Sequence, residues 1–246
     1  YDNKNVGADK AVSFTGFELS GSAAGNYKLI TQPASTTADI TVKEITINGA
    51  TVEGSKVYDG TSEAKITNAG TLSDNYDGEN LTIVAGSAAY DNKNVGTGKT
   101  VAFTGFALAG DAAANYKLIA QPTDTTADIT AKEIAINGAA VEASRIYNGT
   151  ADAKITNAGT PSVNYDGENL KVAAGKAAYD NKNVGKGKTV TFTGFTLSGD
   201  AAANYKLTAQ PEAVTADITV KEIKIVDTAV ETSKIYDGSP DAKITE

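Results

Sequence analysis

The 246-residue chain contains no cysteine, histidine, methionine or tryptophan. Without cysteine there is no disulfide framework, no zinc–thiolate centre and no thiol nucleophile. Without histidine there is no Ser-His-Asp triad and no imidazole base working near neutral pH. Lack of cysteine suits a protein exported into an oxidising medium, but cytosolic proteins also lack it, so it does not fix the compartment. Positive charge is in deficit too: the formal net charge is −8. That argues against nucleic acid, whose phosphates require a basic face. No apolar run approaches the roughly 18–20 residues of a membrane span, and Tyr1 opens no signal peptide. These absences predict no enzyme and no cofactor.

What is present is repetition, the first feature to test in a chain of this length. The string YDNKNVG begins at Tyr1, Tyr90 and Tyr179, steps of 89 residues. NYKL begins at Asn26, Asn115 and Asn204, and a Tyr-Asp/Asn-Gly triplet at Tyr58, Tyr147 and Tyr236, with the same step. NYDGENL occurs at Asn75 and Asn164. A unit of this size buries roughly 60–65% of its unfolded surface, enough for one modest core. The period is too long for a solenoid of 20–47-residue repeats. The spacing therefore predicts a string of small domains. Residues 1–48 would be the C-terminal part of a repeat, 49–137 and 138–226 full repeats, and 227–246 the N-terminal part of another. Because the sequence opens and stops in mid-repeat, it is expected to be a window on a longer ordered array.

Within one repeat the apolar pattern gives strands at 56–58, 64–67, 81–85, 87–90, 99–103, 106–108, 116–120 and 127–136. Turn chemistry separates them, as at Asp59-Gly60, Asp77-Gly78 and Gln121-Pro122. Many short strands at such spacing predict an all-β, Greek-key (immunoglobulin-like) β-sandwich repeated end to end. Gly60, Gly149 and Gly238 are expected at positive φ, where a Cβ is disfavoured. A short turn ahead of Tyr116, and of Tyr27 and Tyr205, makes these tyrosines candidates for a tyrosine corner. The alternative is a tyrosine that simply packs with its hydroxyl in water.

Residues 1–48 and 90–137 differ at 13 of 48 positions, nearly all of them small or polar. Phe14, Phe17, Leu19, Tyr27, Leu29, Ile40, Ile45 and Ile47 recur unchanged, which marks them as core. Around Lys43-Glu44 the apolar residues switch from even to odd positions. The same switch occurs at Lys132-Glu133 and Lys221-Glu222. Since successive strand side chains point to opposite faces, this predicts a near-continuous strand that closes one domain and opens the next. Its Lys-Glu pair would mark the crossing. Repeats so joined would form a rod advancing roughly 35–45 Å each.

Oxygen-rich clusters (Asp2, Asn3 and Asn5; Asp77, Glu79 and Asn80) are candidates for Ca²⁺, although their spacing matches no EF-hand loop and also suits tight turns. Lys28, Asp39 and Glu44 have the residue types of an isopeptide cross-link, which would need burial. Exposed Lys and Asp are also ordinary contents of strand surfaces. Tyr58, Tyr76 and Tyr90 flank turns and are candidates for stacking on sugars; the alternative is that they cover the ends of the core.

The string 56–61 (KVYDGT), the Asn92-Lys93-Asn94-Val95-Gly96 turn, the 101–105 strand, Asn115-Tyr116-Lys117-Leu118 and the closing 126–130 segment (TADIT) together resemble the YDG domain, akin to bacterial Greek-key MBG modules. That module recurs in large bacterial surface proteins, including filamentous-haemagglutinin-like adhesins. The likeness spans essentially the whole chain; Asn148 departs from it by standing where the triplet has Asp. The resemblance implies an extracellular, cell-surface location and a structural role in a rigid stalk or fibre. Expected partners are neighbouring repeats, with self-association into filaments. The rival reading has the repeats themselves binding glycans or host proteins.

Overall fold

The computed structural model describes residues 1–76, 78–165 and 167–245. The chain is all-β: the described residues hold no α-helix, only single 3-10 turns at Ala24–Asn26, Ala113–Asn115 and Ala202–Asn204. It divides into two compact units, Tyr1–Lys132 and Glu133–Glu246.

The first unit opens with β1 (Gly7–Val12) and β2 (Thr36–Ile40), an antiparallel pair. Next come β3 (Lys43–Ile45), β4 (Ile47–Asn48), β5 (Thr51–Val52), β6 (Ser55–Val57), β7 (Glu63–Ala64), β8 (Ile66–Asn68) and β9 (Thr71–Leu72). They are followed by β10 (Thr82–Val84), β11 (Ser87–Tyr90), β12 (Gly96–Thr104), β13 (Ala107–Ala109), β14 (Tyr116–Leu118) and β15 (Thr125–Thr130). A five-stranded sheet runs in the order β6-β15-β12-β11-β7, antiparallel except for the parallel β15–β6 contact. The remaining strands pair two by two: β10–β13, β4–β9 and β5–β8 antiparallel, β14–β3 parallel.

Strict alternation builds the sheet's inner face. Ala88 and Tyr90 on β11, Val101 and Phe103 on β12, and Ala127 and Ile129 on β15 are buried, and the residues between them are less so. Ala88 lies opposite Phe103, and Tyr90 opposite Val101. Phe103 meets Phe106 edge-on with ring centroids 5.7 Å apart. Each large apolar side chain buried this way contributes about 1.5–3 kcal/mol.

The β12–β15 register slips between Gly96 and Lys99, a β-bulge at the start of the longest strand. Gly98 adopts φ +58° there, and its N–H donates to Asp128 Oδ1 at 2.7 Å. Asp9 fills the same place in β1 at φ +49°, again with its N–H on a carboxylate, Asp39 Oδ1. At the strand's far end Gln121 substitutes for a strand neighbour: its side-chain amide both accepts from and donates to the backbone of Phe106.

The second unit has the same pairing. Ser144–Ile146, Val214–Thr219, Gly185–Thr193, Lys176–Tyr179 and Asp152–Ala153 form its five-stranded sheet in that order, the first contact again parallel. Its core gathers Ile136, Tyr179, Val190, Phe192, Phe195 and Ile218. Beyond Thr219, the only pairing among the described residues is Ala229–Val230 with Ile244–Thr245.

Two expectations need refining. The single strand expected over 127–136 is three pieces, Thr125–Thr130, Lys132–Ile134 and Ile136–Asn137. In the first copy the gap is residues 41–42, so the Lys-Glu pair lies inside the opening strand rather than at the crossing. The recurring apolar set is core in 90–137 but not throughout 1–48. Phe106 is 4% exposed, whereas Phe17, one period earlier, is 53% exposed, and Leu19, Tyr27 and Leu29 are exposed with it. Ile45 and Ile47 of the same set are 1% and 3% exposed, and Ile45 packs with Leu81, Ala112 and Tyr116.

That contrast is measurable. Phe106→Ala should cost about 3–5 kcal/mol of unfolding free energy. Phe17→Ala, which removes little beyond the edge-on contact with Phe14, should cost about 1 kcal/mol or less. Equal losses in denaturant titrations would contradict the difference in packing.

Candidate functional site

The Tyr-Asp-Gly triplet sits just after β6. Tyr58 is 1% exposed, and its N–H donates to Thr130 O at 2.8 Å, extending the parallel β6–β15 contact by one residue. Gly60 at φ +81° turns the chain, as do Gly149 at +87° and Gly238 at +76°. Inside the turn lies an ammonium. Lys56 Nζ donates to Asp59 Oδ1 (2.8 Å), Thr61 O (2.9 Å), Thr61 Oγ1 (3.1 Å) and Glu63 O (2.9 Å). Partial burial pushes the Asp59 carboxyl up, but the Lys56 and Thr61 hydrogen bonds outweigh it and hold the group below its ordinary value. Lys234 repeats the arrangement on Asp237 Oδ1, Ser239 O and Asp241 O. In the middle copy Arg145 does so on Asn148 Oδ1 and Thr150 O, a cation-and-amide version of the same clamp. The lysine or arginine two residues ahead of each tyrosine was the signal for this clamp, and the triplet alone does not show it.

A second ammonium clamps the YDNKN turn. Lys99 Nζ lies 2.7 Å from Asp91 Oδ1 and 2.8 Å from Asn92 Oδ1, and the N–H of Asn94 donates to the same Asn92 oxygen at 3.0 Å. Lys10 with Asp2 and Asn3, and Lys188 with Asp180 and Asn181, repeat this geometry. The lysine hydrogen bond lowers the pKa of Asp2, Asp91 and Asp180 alike. The oxygens considered for Ca²⁺ at Asp2 and Asn3 therefore converge on Lys10. Asp77 lies outside the described residues. Among the described residues no cluster of three or more Asp, Glu, His or Cys side chains is placed to hold a metal.

The turn also reaches the next copy. Lys4 Nζ pairs with Glu79 Oε1 at 2.8 Å. Val6 N–H donates to Asn115 Oδ1 at 2.9 Å, and Asn115 Nδ2 donates to Asn5 Oδ1 at 3.1 Å. Glu79 Oε2 accepts the Tyr116 hydroxyl at 2.5 Å, and the Glu79 side chain is only 8% exposed. First Lys4 and then Tyr116 hold its carboxyl below its ordinary value. Burial, aided by Glu79, pushes the Tyr116 phenol up. Beside this contact is a cleft of ≈ 480 Å³ lined by Ile40, Val42, Lys43 and Tyr76 among others.

The other candidates fall as follows. The Tyr116 hydroxyl, besides donating to Glu79, accepts from Tyr76 N–H at 3.4 Å, and Tyr205 does the same with Glu168 and Tyr165. The acceptor is thus a carboxylate rather than backbone a few residues upstream. Tyr27 is exposed. Tyr58 and Tyr90 are buried, which removes them as sugar platforms; Tyr76 is 57% exposed. Lys43 pairs with Asp74 at 2.8 Å and lies over the Tyr76 ring. Glu44 faces Lys117 at 3.6 Å, Glu133 pairs with Lys206 at 2.9 Å, and Lys132 lies in the opening strand beside Glu133. Lys221 and Glu222 are exposed and outside any strand. Asp39 and Glu44 are engaged separately, by Asp9 N–H and Lys117, and Lys28 is exposed, so the three are not assembled for a cross-link.

The family profile described as "YDG domain" matches residues 1–38, 40–127 and 130–213. The chain belongs to the YDG domain family. No curated protein and no solved structure matches it. The breaks between the YDG matches, at 39 and 128–129, fall on the closing strands, and the second lies close to the division of the chain at Lys132. The domain frame expected from the sequence placed that boundary later, at 137/138.

The clamp that gives the YDG turn its shape can be tested directly. Lys56→Met leaves Thr61 O and Glu63 O without their donor and should destabilise the fold by about 1–3 kcal/mol. Lys56→Arg, which imitates Arg145, should lose less than half of that. Equal losses in thermal unfolding would mean that the stem of the side chain matters and its donors do not.

Proposed function

We propose that the chain is a structural array: 89-residue Greek-key, immunoglobulin-like β-sandwich modules joined end to end, forming a rigid stalk or extracellular fibre of a bacterial surface adhesin. The observation that carries this reading is the passage from β2 to β3. Only residues 41–42 separate a strand paired with β1 from a strand paired with β14. Ile40 lies opposite Gly7, whereas Ile45 packs with Leu81, Ala112 and Tyr116. Neither of the two residues between is Gly or Pro. A tether so short, fixed at both ends by strand pairing, leaves few free dihedrals for a hinge.

The side chains support a mechanical role as well. The described motif residues are engaged in turn clamps, strand extensions and core packing. The shifted groups are paired carboxylates and lysines or buried phenols, each moved away from neutrality. Active sites ordinarily move such groups toward it. For the rival reading, direct glycan binding, Tyr76 is the one of the three candidate tyrosines left exposed.

Small-angle scattering on the intact chain tests the proposal. The expected profile is that of a rod, advancing roughly 35–45 Å per module, with no binding to a glycan array. Inserting Gly-Gly-Ser between Thr41 and Val42 should make the profile measurably more flexible. A flexible-chain profile for the unmodified protein, or saturable glycan binding lost in Tyr76→Ala, would overturn it.

A further inference from the structure

Glu79 is a nearly buried carboxylate whose two oxygens are taken by groups from different copies of the repeat: Lys4 from residues 1–48 and Tyr116 from the copy that follows. A buried charge is costly unless it is fully paired, so its burial makes sense only when both partners are present. Asn115 does the same with a neutral side chain. Its carbonyl accepts the Val6 N–H and its amide donates to Asn5, so the turn's backbone and side chain are both recognised.

Both halves of this contact are preformed. The turn is shaped from within by Lys10, Asp2 and Asn3, and the same clamp shapes the turns at Lys99 and Lys188. On the acceptor side, the 3-10 turn Ala113–Asn115 delivers Asn115, with its N–H on Ala112 O, and Tyr116 orients Glu79. The acceptor is built alike in the second unit, where Tyr205 donates to Glu168 Oε2 at 2.6 Å and Asn204 N–H bonds Ala201 O. Two rigid halves lose little entropy on docking, the condition under which a few hydrogen bonds give a specific contact.

We propose that the Asn-Lys-Asn-Val turn and the Glu79–Asn115–Tyr116 acceptor are a plug and socket by which one YDG module recognises and locks its neighbour. The partner this surface fits is the YDNKN turn of the preceding module. Lys4 supplies charge, received by Glu79, and Val6 N–H and Asn5 supply register, received by Asn115. The proposal rests on the array reading: the shared strand tethers the modules, and this contact removes the freedom the tether leaves.

Residue-resolved amide exchange on the full chain tests it, with Val6 N–H as the reporter. Asn115→Ala removes its acceptor, Glu79→Gln keeps shape while removing charge, and Lys4→Met removes the ammonium that pairs with Glu79 from a mostly exposed side chain. Each should speed Val6 exchange, Asn115→Ala by about tenfold, the factor expected for one hydrogen bond. The amides of Val101 and Ile129 should be unchanged, which shows that the modules remain folded. Acid is a second lever on the same carboxylate, which shares its cleft with Lys4, Lys43, Tyr76 and Tyr116, Lys43 being paired with Asp74. Because Lys4 and Tyr116 depress the Glu79 pKa in the folded state, the lock is complete above the ordinary 4.5 and is lost as pH falls through the lower, folded value. Val6 protection should therefore fall further in acid in the wild type than in Glu79→Gln, where the Asp2–Lys10 pair of the turn still titrates. Equal Val6 protection in wild type and all three variants would overturn the plug and socket while leaving the array reading intact. A flexible scattering profile with Val6 still protected would overturn the array reading and leave the contact standing.

Discussion

The complete copy depends on strand Thr125–Thr130 being paired along both edges. On one side it runs antiparallel to β12, although β13 and β14 lie between the two in the chain and pair elsewhere. On the other it runs parallel to β6, some seventy residues earlier in the chain. Its inward residues, Ala127 and Ile129, fill the centre of the sheet, and its last carbonyl receives the N–H of Tyr58. A parallel contact requires a long connection, so the module is closed only when its final strand arrives. The Tyr-Asp-Gly turn is the point at which that arrival is registered.

The two ammonium clamps follow from this constraint. Short strands of two to four residues make few ladder bonds, and an isolated pair of such strands is marginal in water. The turns joining them must therefore be rigid without help from neighbouring strands. Lys56 ties four oxygens of the YDG turn together, and Lys99 ties the turn between β11 and β12. Substituting Arg145 and Asn148 together in the middle copy keeps the donors and an acceptor while deleting one charge. What the turn requires is therefore hydrogen-bond geometry, with the ion pair secondary.

Much of the fold was legible in the sequence, and the parts that were not share a cause. Alternation at 87–90, 99–103 and 127–129 located the inner face of the sheet because half-buried strands must alternate. Strands Thr51–Val52 and Thr71–Leu72 were missed because two residues carry no period. The recurring apolar set was sound for Phe103, Phe106, Tyr116 and Ile129, yet the same residues at Phe17 and Tyr27 are exposed. Identity at one period says what a residue is, while burial depends on what stands opposite it. The contact site was hidden more deeply: Lys4 and Glu79 are 75 residues apart, and each looked like ordinary surface charge or a metal ligand. Only the tertiary fold brings them together.

The caged lysines have a consequence for where such a module can serve. Surface repeats that rely on a bound metal surrender it to dilution, chelators or acid. Here the cation in each oxygen cage is the end of a side chain, attached to the chain it stabilises. It cannot be washed out, competed away by another ion or depleted by the medium. With no thiol or thioether in the chain to oxidise, the cage depends neither on a metal nor on the redox state of the surrounding fluid; only acid strong enough to protonate Asp59 and Asp91 against their lysines loosens it.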